Sequence, residues 1–117
     1  MKINSFEDII RWQKARELNL IIYSHFINSK DFSFRDQIQR ASVSIMNNIA
    51  EGFERHGNKE FKNFLYISKG SCAEVRSMLY LSLDLEYMTK EKFSKTYELT
   101  LNISKLLSGL IKTLRTL

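Results

Sequence analysis

The run Gln37-Ile38-Gln39-Arg40-Ala41-Ser42-Val43-Ser44-Ile45-Met46-Asn47-Asn48-Ile49-Ala50-Glu51-Gly52-Phe53, answered by Gly70-Ser71-Cys72-Ala73-Glu74, decides how the chain folds. Ile38, Ala41, Ser42, Ile45, Asn48, Ile49, Gly52 and Phe53 recur at steps of three and four, so they share one face of a helix ending near Arg55. Asp36 to Arg40 and Glu51 to Arg55 have the i,i+4 spacing of surface ion pairs. Small residues crowd this helix (Ala41, Ser42, Ser44, Ala50, Gly52) and the next (Ser68, Gly70, Ser71, Ala73). Gly70 in a helix interior costs about 1 kcal/mol relative to alanine, which makes sense where another backbone or a ring must approach. Close helix-to-helix packing is therefore expected. Arg40, Glu51 and Glu74 stand beside core positions and are expected to form a partly buried polar network, with Asn47 and Asn48, that fixes register.

Gly57 can take the left-handed conformation that closes a helix, and Asn58 can cap a new one, with Glu60 in its first turn. The third helix carries Phe61, Phe64, Leu65, Ser68, Ser71, Cys72, Val75, Met78, Leu79 and Ser82 in unbroken spacing to about Leu85. Towards the N-terminus, Ser5 with Asp8 resembles a capping box, and Ile9, Trp12, Ala15, Leu18, Ile22 and Phe26 predict a first helix over Phe6 to Asn28. Ser33 with Asp36 supplies the cap signature of the second helix. Beyond Thr89, another cap, Phe93, Tyr97, Leu101, Ser104, Leu107, Ile111 and Leu114 form the inward stripe of a fourth helix. Four helices with short links predict an all-α fold, an antiparallel up-down four-helix bundle forming one domain over residues 1–117.

The fourth helix has a second stripe, Leu99, Ile103, Leu106, Leu110 and Leu117, more than one protomer needs to bury. It is the candidate seam of a homo-oligomer. Tyr66, Ile67, Tyr80, Leu81 and Leu83, off the main stripe of the third helix, add weaker support.

The 117 residues contain 44% apolar and 26% charged residues and no proline, which excludes a disordered or fibrous chain. Cys72 is the single cysteine, so no intramolecular disulfide forms, and a reducing, cytoplasmic setting fits best. Neither a signal peptide nor an apolar run of membrane-spanning length is visible. No Glu is followed by His at the spacing of a carboxylate di-metal bundle, and His25 and His56 stand apart, so no metal or other cofactor is expected. There is no nucleophile elbow and no glycine-rich phosphate loop, and the chain does not read as an enzyme.

The net charge of +5 is unevenly placed. Arg55, Lys59, Lys62, Lys69 and Arg76 follow the second turn and the third helix, while Lys90, Lys92, Lys95, Lys105, Lys112 and Arg115 load the fourth against Glu91 and Glu98. These are the candidate nucleic-acid contacts. With no base-reading motif present, binding to RNA or DNA is expected to be insensitive to sequence. The alternative is a scaffold whose basic surface takes an acidic protein.

Phe6-Glu7-Asp8-Ile9-Ile10-Arg11-Trp12-Gln13-Lys14-Ala15, Gln37 to Ile45, Asn48 to Phe53, Lys59-Glu60-Phe61, Phe64 to Ser71 and Glu74 resemble a bacterial four-helix-bundle family, the 23S rRNA intervening-sequence proteins. The resemblance covers nearly the whole chain. It implies an up-down bundle assembled as a ring, often a pentamer. It also implies a likeness to the accessory variability determinant of diversity-generating retroelements, a basic barrel that binds nucleic acid and a reverse transcriptase. Arg40, Glu51, Gly52, Gly70 and Glu74 match the family's motif and carry over as packing and assembly residues. Met46 stands where the family usually has proline after Ser-Ile, which predicts a straighter second helix.

Overall fold

The computed structural model of the protein describes residues 3–55 and 57–114. A short 3-10 turn, Phe6–Asp8, precedes α1 (Ile10–Phe26), α2 (Phe32–Glu54), α3 (Asn58–Asp84) and α4 (Lys90–Leu114). Cross-helix contacts fix the directions. Asn19 meets Ser42 while Phe26 meets Phe34; Ser71 meets Ser44 while Gly52 lies against Phe61 and Phe64. Tyr80 touches Phe93 and Tyr97, and Arg11 reaches Leu106 while His25 reaches Tyr87. Every neighbouring pair is therefore antiparallel, and the four helices close in the order of the chain into an up-down bundle. The α2–α3 interface is the most extensive and α1–α4 the least.

Most helix ends follow local chemistry. Gly57 has φ 91° and passes the chain from α2 to α3, and Thr89 Oγ1 accepts from the Lys92 N–H at 3.1 Å. At the start of α2 the cap is Asp31 and not Ser33: its carboxylate accepts from the Phe34 N–H at 3.2 Å. Starting the helix there turns Phe34 into the core against Phe26 and Tyr87. Residues Phe6–Asp8 form the separate turn because Ile9 is extended and buried, which breaks the first helix from its expected start. Past Met46, α2 runs without interruption.

One apolar cluster draws on all four helices, from Leu18 and Ile22 through Ile38, Ile45 and Ile49 to Leu65, Val75 and Leu79 and on to Ile103 and Leu107. The polar register device inside it is not the charged trio expected from the sequence. Asn19 donates to the Ala15 and Ser42 carbonyls at 2.9 and 3.1 Å and accepts from the Ser42 hydroxyl at 3.1 Å. Ser68 donates to the Ile45 carbonyl at 2.7 Å, and Ser71 to the Ser44 hydroxyl at 2.9 Å. Short side chains reach a neighbouring backbone without carrying charge into the core, so they satisfy buried groups at small desolvation cost.

Candidate nucleic-acid interface

At 100° per residue, positions seven apart return to nearly the same side of a helix. On α3 this aligns Lys62, Lys69 and Arg76 along the flank turned to α4, followed by Tyr80, which meets Phe93 and Tyr97 of α4. Opposite, Lys105 and Lys112 share a side of α4. Tyr66, Lys69, Ser108, Ile111 and Lys112 line a cleft of about 210 Å³ between the two helices, and no acid lines it. Lys62, Lys69 and Arg76 are half-buried, while Lys105 and Lys112 are exposed. None of these five forms an ion pair among the described residues; Arg76 Nη1 is itself buried and has no hydrogen-bond partner there, so this guanidinium presents only part of its edge to the face. Glu98 and Glu91, one and two heptads before Lys105, are acids on this side of α4, and Glu91 is paired with Lys95.

The other predicted cations are placed elsewhere. Arg55 is held by acids: its Nη2 lies 2.8 Å from Glu51 Oε2 and its Nη1 3.8 Å from Glu60 Oε2, above the Phe64 ring. The bond from Glu51 chiefly, then the charges of Glu51 and Glu60, raise the guanidinium pKa above its ordinary value. Lys95 pairs with Glu91 at 3.8 Å. Lys59 and Lys90 are exposed at the starts of α3 and α4 without ion pairs among the described residues, and Lys92 is half-buried. Arg115 and His56 lie outside the described residues. Arg11, not singled out in the sequence, spends its Nε–H on the Leu106 carbonyl at 2.9 Å, and burial lowers its pKa.

Of the motif residues, Gly52 is a packing position: a Cβ there would lie 2.6 Å from Phe64 Cβ and 3.1 Å from Phe61 Cδ1. Gly70 differs. It is exposed and a Cβ would meet nothing within 4 Å, because it stands about 140° round α3 from the Val75 core line. Arg40, Glu51 and Glu74 are also exposed. Arg40 and Glu74 line one groove between α2 and α3, about 530 Å³, without forming an ion pair among the described residues; Asp36, expected to pair with Arg40, instead pairs with Arg35 at 3.1 Å.

The expected α4 seam is altered as well. Ile103 is fully buried in the protomer's own core, and Leu99 and Leu110 pack against that core; Leu106 is half-buried where Arg11 of α1 arrives, and Leu117 lies outside the described residues. The inward face of α4 combines parts of both predicted stripes because α1 and α3 cover it from two sides. Two exposed aliphatic residues of α3, Ile67 at 52% and Leu81 at 46%, lie on the flank away from the cations, with Gly70 and Glu74.

Cys72 is free and buried, and loss of hydration pushes its pKa up to about 12, with Arg76 opposing weakly. It is an inert core residue. Among the described residues no group of three His, Cys, Asp or Glu side chains stands close enough to hold a metal ion, and no helix is long and apolar enough to cross a membrane.

A solved structure from Bacteroides thetaiotaomicron, described as a protein of unknown function from the S23 ribosomal protein family, is 30% identical to this chain. It superimposes with a TM-score of 0.83, covering 88% of this chain and 99% of its own. No curated protein matches. The 23S rRNA-intervening sequence protein family matches residues 7–109, and with that span taking in α1 to α3 and most of α4, the chain belongs to this family.

Proposed function

We propose that the protein is a non-enzymatic, homo-oligomeric bundle that binds nucleic acid without reading its sequence, through the face shared by α3 and α4. The carrying observation is the row Lys62, Lys69 and Arg76 facing Lys105 and Lys112, five cations without ion pairs among the described residues. Such a row attracts phosphates through charge and makes no demand on base identity. Arg55 and Lys95, already paired, contribute less. The buried, free Cys72 suits a reducing cytoplasm.

Self-association draws support less from the α4 stripe than from the α3 flank of Ile67 and Leu81, which carried the weaker support in the sequence. Ile67 and Leu81 are exposed on the flank of α3 that carries Gly70, with Glu74 between them, and Gly70 leaves a notch of the kind where helices approach closely because a side chain is missing. Glu74 within this flank and Arg40 across the α2–α3 groove are open to pairing between copies.

Binding of a labelled RNA, followed by fluorescence anisotropy at about 50 mM and about 200 mM salt, tests the nucleic-acid part. Affinity is expected to fall by at least about tenfold across that range, and Lys69→Ala with Lys112→Ala is expected to flatten the slope. Weak binding unaffected by salt removes this function. Light scattering at micromolar concentration tests the assembly, and a monomer there removes it.

A further inference from the structure

The α3–α4 face carries aromatic rings among its cations, and these bear on which form of nucleic acid it takes; the inference rests on the nucleic-acid reading above. Tyr66 is 45% exposed and shares the cleft with Lys69, Ser108 and Lys112. Further along α3, Tyr80 is 52% exposed and braced by Phe93 and Tyr97, with ring centroids 5.1 and 5.5 Å away. The helix between Tyr66 and Tyr80 is about 21 Å long, and Lys69 and Arg76 lie within it. Cations and open rings therefore follow one another along the α3–α4 face.

A duplex offers this face only half of what it can use. Its phosphates meet the cations, but its base faces are stacked inside, so Tyr66 and Tyr80 gain no stacking partner. An unpaired strand offers both, phosphates for the lysines and arginine and flat base faces for the rings. We infer that the α3–α4 face takes a single strand of nucleic acid in preference to a duplex, with phosphates on Lys62, Lys69, Arg76, Lys105 and Lys112 and bases against Tyr66 and Tyr80.

The test compares a mixed-sequence RNA of about 20 nucleotides with the same strand annealed to its complement. The wild-type protein and three kinds of variant are used. Tyr66→Leu removes the aromatic face, Tyr66→Phe keeps it, and Lys69→Ala with Lys112→Ala removes charge. Tyr66 is exposed, and circular dichroism verifies that each variant folds. Wild-type protein is expected to bind the single strand at least about tenfold more tightly than the duplex. Tyr66→Leu should weaken single-strand binding by about fivefold or more while leaving the duplex unchanged, and Tyr66→Phe should restore it. The lysine variant should weaken both. Equal or tighter duplex binding, or a Tyr66→Leu protein indistinguishable from wild type, overturns this inference, while the salt and lysine effects would still uphold the broader reading. Absence of binding to either probe overturns both.

Discussion

Gly52 and Gly70 have the same side chain and opposite surroundings. At Gly52 the neighbour a methyl group would strike is the Cβ of Phe64, which moves only with its backbone. Gly52→Ala is therefore expected to push α2 and α3 apart and cost about 1–3 kcal/mol, the range of overpacked cores. At Gly70 the space is open, so Gly70→Ala should stabilise the isolated protomer by about 1 kcal/mol through helix propensity alone. If copies meet along this flank of α3, the same substitution weakens their association. Thermal unfolding and light scattering on the two variants separate these effects. A Gly52→Ala protein as stable as wild type would contradict the packing role. Both glycines were visible as helix-interior positions, yet only a neighbour's location distinguishes them, and that is not a local property.

At the scale of elements, helix boundaries and faces were legible where a short-range rule sets them. Thr89 and Gly57 act as their types dictate, and the α3 stripe from Leu65 to Ser82 is buried as its spacing requires. Boundaries settled by distant contacts were not. Asp31 displaced Ser33 as a cap because Phe34 had to reach Phe26 and Tyr87. Asn19 was missed although it stands between Ala15 and Ile22 at core spacing; its partner, Ser42, is on another helix. The two stripes of α4 were correctly seen as apolar, but periodicity does not say how many helices will cover them.

The corner built on Asp31 has a pH signature. The Tyr87 hydroxyl donates to Asp31 Oδ2 at 2.7 Å, and His25 donates its ring Nε2–H to the Tyr87 carbonyl at 2.8 Å, tying α1 and α2 to the turn before α4. The Tyr87 bond, then the Phe34 N–H, lower the Asp31 pKa. A depressed carboxyl stabilises the fold above its unfolded pKa, and that contribution disappears as pH falls through the folded value. The same bond raises the Tyr87 pKa, so its contribution is present below the phenol's unfolded pKa and disappears as pH rises through the folded value. Tyr87→Phe should therefore lower stability at neutral pH and flatten both the acid and the alkaline limbs of a melting-temperature profile. Limbs identical to wild type would show that this corner carries no such linkage.

For the whole molecule, the ring of four helices is unevenly closed. The α2–α3 pair meets along its length with Gly52 admitting Phe64, Ser68 bonded to the Ile45 carbonyl and Ser71 to the Ser44 hydroxyl, whereas α1 and α4 share the thinnest boundary. Cooperative units open first where least apolar surface is exposed by opening. The bundle thus has a preferred order of fraying: α1 leaves α4 while α2 and α3 persist as a paired hairpin. Native-state hydrogen exchange checks it, with amides at the centres of α2 and α3 expected to exchange only through global unfolding and those of α1 through a smaller, separate opening. Equal protection across the four helices would exclude that order. The close approach that Gly52 permits then determines more than how the helices fit, for it selects which half of the protein survives each transient opening.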